Sequence, residues 1–161
     1  MESKNIKYIV IHCTAGFGDL KSIKKYWKDV LGWRTGGYHR IVKRDGKTHK
    51  LYPFHRQVNG VRNHNHECIH ISYIGGVDPK NYKFAKDTRT NNQKESIIKN
   101  IMEAMKWLSD NGNDLFGVSI VGHRDISSTD KNNNGVIDSW ERTKECPSFD
   151  AIEEYKWMAK I

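Results

Sequence analysis

Three residues set far apart in the chain have the chemistry of a metal site. His12 lies at the end of Ile6 to Cys13, a run rich in β-branched and aromatic residues that reads as a buried strand. His123 follows a second strand-like run, Phe116 to Val121, and Cys146 comes after a long Asn-rich segment. Two imidazoles and one thiolate make a catalytic zinc set, with a fourth position left for water. Strand alternation sends Cys13 to the face opposite His12, so Cys13 is read as packing rather than as a further donor. Spacing alone leaves the alternative open that each of the three is an isolated core or surface group. No local pair such as His-Glu-x-x-His ties them together.

A second constellation lies between His123 and Cys146. Asp130, Asn132, Asn134, Gly135 and Glu141 fit the calcium-loop pattern Asp-x-[Asp/Asn]-x-[Asp/Asn]-Gly with Glu in the twelfth place. In that reading Asp130, Asn132 and Asn134 offer side-chain oxygens and Val136 a carbonyl. Asp138 acts through water, and Glu141 is bidentate. Gly135 permits the sharp turn and Ile137 anchors the loop. The alternative is a solvated Asn/Gly turn, and neutral Asn at two ligand places weakens cation affinity. With a single such loop, a paired calcium sensor is not expected; a structural ion is.

The elements that must position these groups follow from periodicity. After the first strand, Asp19 offers an N-cap for a helix carrying Leu20, Ile23, Tyr26/Trp27 and Val30/Leu31, stopped by Gly32. Tyr38 to Lys43 and Thr48 to Tyr52 flank Arg44-Asp45-Gly46-Lys47, a hairpin signal. Residues 53–67 read as loop, Cys68 to Tyr73 as another strand, and 77–89 as a polar stretch. Thr90 to Gln93 has the form of a capping box, ahead of a helical stripe from Ile97 to Leu108 that ends near Gly112. A last helix is expected from about Phe149 to the C-terminus. The sum is a single α/β domain over residues 1–161: a mixed central β-sheet flanked by helices, with the calcium-loop-like insertion at 130–141.

Composition bounds the rest. The chain has 161 residues, 37% hydrophobic and 29% charged, a globular rather than disordered profile. No run approaches the roughly 18 apolar residues of a membrane span, and the first residues lack a signal-peptide shape. Three cysteines cannot close a disulfide framework and fit a reducing compartment. The net charge of +8 is uneven: residues 1–60 hold thirteen Lys/Arg against four Asp/Glu, residues 113–161 six against nine. Nucleic acid, anionic cell wall or acidic lipid would each suit that surface, but no zinc-finger, helix-turn-helix or aromatic-basic motif supports a nucleic-acid partner.

Several stretches in order carry a resemblance: Tyr8 to Thr14, Gly32-Trp33, Gly37-Tyr38-His39, Lys43 to Gly46, Ile74-Gly75-Gly76, Gly122 to Asp125 and Lys144 to Asp150. Over roughly residues 6–152 the chain resembles the zinc-dependent N-acetylmuramoyl-L-alanine amidases, a family shared by phage lysozymes and peptidoglycan recognition proteins. The resemblance implies that His12, His123 and Cys146 bind zinc and that Tyr38 and Lys144 are the catalytic side chains. Zinc brings the pKa of its water towards about 7, and the bond cut joins N-acetylmuramic acid to L-alanine. Lys144 would stabilise the oxyanion and Tyr38 polarise the carbonyl or orient the water. Family members that only bind peptidoglycan typically lack the cysteine, so hydrolysis is the expected activity and a binding module the alternative.

The chain departs from the family where relatives carry His-x-x-Gly-x-Asn. Asn65 matches, but Gly60 stands in place of the His and Asn63 in place of the Gly. His70 stands where relatives often have Gly; with Cys68 it shares one strand face, which suits an accessory metal site or the lining of the cleft, and lining is the expectation. Asn65 and His39 are the expected substrate contacts; His64 and His66 read as surface loop residues. The expected partner is bacterial peptidoglycan, met by a monomer without nucleic acid or membrane insertion, with the basic first 60 residues as docking surface. An enzyme made in the cytoplasm of a bacterium or phage-infected host, acting on the wall after release or delivery, fits these features. Calcium would then order the segment that brings Lys144 and Cys146 to the zinc.

Overall fold

The central strand of the protein is β1 (Tyr8–Cys13), hydrogen-bonded in parallel to β4 (Cys68–Tyr73) on one side and to β7 (Ser119–Gly122) on the other. Beyond β4 lies β2 (Arg40–Val42), again parallel, and beyond it the antiparallel β3 (Thr48–Lys50), giving the sheet order β3-β2-β4-β1-β7. The computed structural model describes residues 1–158. Ile9, Val10 and Ile11 are all buried, as a strand with neighbours on both edges and cover on both faces requires.

Helix α2 (Asn91–Asp110) covers one face. Its buried Ile97, Ile101, Ala104 and Leu108 recur at helical spacing and pack with Ile9, Ile11, Cys13, Ile69, Ile71 and Tyr73. Thr90 Oγ1 accepts from the Gln93 N–H and Gln93 Oε1 from the Thr90 N–H, so the capping box forms as read. Period two then dictates the other face. With the odd-numbered residues of β1 and β4 under α2, Val10, His12, Cys68, His70 and Ser72 share the opposite side.

Helix α1 (Leu20–Lys25) starts at Asp19, whose side chain accepts from the Ser22 N–H, and runs on through a wider turn, Tyr26–Val30. The short helices α3 (His123–Ile126) and α4 (Ala151–Tyr155) follow β7 and the Cys146 segment. The expected last helix is thus shorter than the span from Phe149, and residues 159–161 lie outside the described part. One element was not foreseen. The polar stretch after Gly76 forms a two-stranded hairpin, β5 (Val77–Asp78) and β6 (Asn81–Ala85). All of β6 is exposed, so the alternation of Tyr82 and Phe84 with Lys83 was the one available signal, without a buried face behind it.

Candidate metal centre and groove

The parallel strands all end at the same edge of the sheet, the side on which ligands of such sheets are held. His12 is the penultimate residue of β1, and His123 is the residue after β7. Cys146 arrives from the C-terminal loop and is fastened to both. Its carbonyl accepts from the Arg124 N–H at 2.8 Å, and its sulfur accepts from the Cys13 N–H at 3.2 Å. Gly122 makes this possible, because a Cβ there would lie 2.5 Å from Pro147 Cδ. Farther along, Tyr73 Oη donates to the Pro147 carbonyl, and the buried Arg89 guanidinium pairs with Asp87 and Glu154 over the Phe149 ring.

One donor atom each from His12, His123 and Cys146 comes together within 4.8 Å, with no other His, Cys, Asp or Glu trio so disposed among the described residues. The three sequence-distant residues therefore meet. His12 Nδ1 is 3.9 Å from Cys146 Sγ, and the rings of His12 and His123 are 4.8 Å apart. Cys13 points into the apolar cluster under α2, as alternation required. Burial holds the imidazoles neutral: His12 is pushed well below its ordinary value, and His123 down to about 4, with Lys144 nearby adding to both. Burial also raises the Cys146 thiol well above its ordinary value. Two neutral imidazoles and a thiol with no carboxylate among them suit a borderline-soft cation such as zinc.

A groove of about 660 Å³ opens beside these donors, lined by Trp27, Trp33, Tyr38, Tyr82, Lys144 and Cys146 among others. A polar arm of about 480 Å³ continues it past Arg62, Asn63, His64 and Thr143, and His123 and Lys144 line both. Tyr38 precedes β2 rather than lying in it. Its ring stands 5.0 Å from that of His12 and edge-on to Trp27 at 5.4 Å, and burial raises its hydroxyl pKa so that it stays a proton donor. Lys144 is exposed at the groove wall. Trp27, Trp33 and Tyr82 are groove residues that the sequence reading did not single out, although Gly32-Trp33 was among its motifs.

Three expectations are corrected. His39 is fully buried, with Nδ1 accepting from the His70 N–H and Nε2 facing the Arg56 carbonyl, so it has no face towards the groove. Asn65 does not line the groove, since its Oδ1 caps the loop by accepting from the Val61 N–H at 2.8 Å. His70 is completely buried beside His12 instead of lining the cleft. His64 half-faces the polar arm and bonds Glu67.

The 130–141 loop curls around its own side chains. Asp130 accepts from Asn134 and Gly135 N–H groups, Asn132 and Asn134 from backbone N–H groups, and Asp138 from the amides of Asn132 and Asn134. Glu141, buried, accepts from the Lys131 and Asp138 N–H groups. Val136 is exposed, and Gly135 has the positive φ its place demands. The three carboxylates of the loop do not converge as the His–His–Cys trio does.

A mixed sheet under one long helix, with His, His and Cys at the carboxyl edge beside a groove, makes an α/β domain with a candidate metal site. The family model for N-acetylmuramoyl-L-alanine amidase matches residues 2–147, and the chain belongs to that family. It is 29% identical over 137 residues to peptidoglycan-recognition protein SC2 of Drosophila simulans, covering 78% of this chain and 67% of that one. The endolysin of Klebsiella phage KP32 is 23% identical over 146 residues, covering 88% and 80%. In fold it is similar to the endolysin N-acetylmuramoyl-L-alanine amidase LysCS from Clostridium intestinale, with TM-score 0.68, 19% identity and coverage of 99% and 87%.

Proposed function

We infer that the protein is a zinc-dependent N-acetylmuramoyl-L-alanine amidase that hydrolyses the amide between N-acetylmuramic acid and L-alanine in bacterial peptidoglycan. The observation that carries this reading is the His12–His123–Cys146 trio at the groove of a chain that matches the amidase family. Those three residues would hold the zinc, whose Lewis acidity makes water nucleophilic near neutral pH. The chain's own groups do the rest. Buried neutral His12 and His123 need no deprotonation to ligate, whereas Cys146 must give up its proton. Tyr38, kept protonated, donates towards the scissile carbonyl, and Lys144 brings a positive charge to the oxygen where negative charge develops. Trp27, Trp33 and Tyr82 offer aromatic faces to the glycan. Incubation with purified peptidoglycan should release free N-terminal alanine, and Cys146→Ser should abolish it; full residual activity in the variant would contradict the metal role.

The relatives named as recognition proteins favour a second reading, a peptidoglycan-binding module with little turnover. Retained wall binding without alanine release by the zinc-loaded protein would establish it. In this reading the enzyme is made in the cytoplasm of a bacterium or phage-infected host and acts on the wall after release or delivery. Calcium in the loop of Asp130, Asn132, Asn134, Val136, Asp138 and Glu141 is a narrower proposal, supported by the motif and by the positive φ of Gly135. A chelator that strips calcium and leaves zinc should lower the melting temperature and activity; no change in either sinks it.

A further inference from the structure

His70 has no face on the groove, yet it touches the metal centre. It projects from β4 on the same face as His12, one strand away, and His70 Nδ1 lies 3.0 Å from His12 Nε2. The remaining nitrogen of His12, Nδ1, is the one on the side of the Cys146 sulfur. An imidazole that gives its Nδ1 lone pair to a metal carries its proton on Nε2, and a buried N–H needs an acceptor. His70 Nδ1 is that acceptor. His70 must then carry its own proton on Nε2, a buried atom with no hydrogen-bond partner in the protein. An apolar side chain of similar size would avoid that orphan, so what the imidazole contributes is Nδ1.

Two neighbours hold residue 70 in place. Its backbone N–H donates to His39 Nδ1, and the two imidazole rings stack 11° from parallel with centroids 5.9 Å apart. On another side lies Gly60, where a Cβ would fall 2.3 Å from His70 Nδ1. Geometry couples the two positions, because the ring at 70 fills the space that a side chain at 60 would need.

We propose that His70 is a positioning residue for the metal centre: the buried contact between His70 Nδ1 and His12 Nε2 fixes the tautomer of His12 and turns its Nδ1 towards the metal. The proposal rests on His12 being a zinc ligand. Competition with a chromogenic chelator measures zinc affinity in wild type, His70→Leu and His70→Asn, alongside the melting temperature of each metal-free protein. The leucine variant should lose about 10- to 100-fold in zinc affinity. The asparagine variant, whose side chain keeps a polar atom near the place of Nδ1, should stay within about threefold of wild type. Wild-type protein that binds no zinc overturns the metal reading and this proposal with it. Wild-type protein that binds zinc while His70→Leu binds it equally well overturns this proposal alone, as does an asparagine variant as weak as the leucine one. Long-range ¹H–¹⁵N spectra of the zinc-loaded wild-type protein decide the matter even where the leucine variant does not fold. A bare His70 Nδ1 accepting from the protonated His12 Nε2 supports the proposal, and a proton on His70 Nδ1 overturns it.

Discussion

Cys146 carries the proton that a bound zinc would have to displace. Burial raises its thiol pKa, while His12 and His123 are already neutral across the neutral range, His123 down to about 4. At about pH 6, below the pKa of the water it would carry, zinc binding should therefore release close to one proton, and affinity should fall about tenfold per pH unit on acidification between about pH 6.5 and 5. Calorimetry in buffers of different ionisation enthalpy reads that number; release of two or more protons would mean that the imidazoles are protonated as well. Tyr38 acts differently, because it stands beside His12, ring to ring at 5.0 Å, without belonging to the His12–His123–Cys146 trio. Tyr38→Phe should lower kcat by about a hundredfold with zinc content unchanged, and loss of zinc from that variant would make Tyr38 part of the metal centre instead.

At the scale of elements, the site depends on how closely the Cys146 segment approaches the end of β7. The Arg124 N–H to Cys146 carbonyl bond and the missing side chain at Gly122 bring them together. Gly122→Ala forces Pro147 outwards, at a cost of about 1–3 kcal/mol in stability. It should also weaken zinc binding, because Cys146 moves with Pro147. Chelator competition on the folded variant checks this, and wild-type zinc affinity would show that the segment is held by Arg89, Phe149 and Tyr73 alone.

For the whole molecule, four buried histidines make acid the weak side. Burial lowers His12 and His70 well below 6.5, and His39 and His123 to about 4, whereas the unfolded chain protonates them near 6.5. Between about pH 6.5 and 4 the unfolded state binds more protons, so stability falls as pH falls, by up to about 1.4 kcal/mol per pH unit for each histidine. The melting temperature of the metal-free protein should drop steadily across that range; a flat profile would mean that the rings are solvated. The basic first 60 residues carry thirteen Lys/Arg against four Asp/Glu. If they dock on an anionic wall, pull-down on purified walls should weaken as salt rises from about 0.05 to 0.5 M, and salt-independent binding would remove charge from the account.

What is local or periodic is legible in the order of the residues. The β-branched run of β1, the Thr90–Gln93 box and the Asp-Gly hairpin each depend on neighbours within a few residues, and each forms, the strands shorter than read: β1 from Tyr8, the hairpin over Arg40–Val42 and Thr48–Lys50. Alternation alone puts His12 and Cys13 on opposite faces, and residue type with strand-end placement, joined by the family motifs, singles out His12, His123 and Cys146. Tertiary structure decided what depends on distance between strands. It brought that trio within 4.8 Å, and it withdrew His39 and Asn65 from the groove by engaging their polar atoms elsewhere. It also paired His70 with His12 across an empty Gly60. Two residues 58 apart in the chain carry no local signature of a shared hydrogen bond. Only the register of β1 against β4, and the absence of a Cβ on a loop below them, creates it.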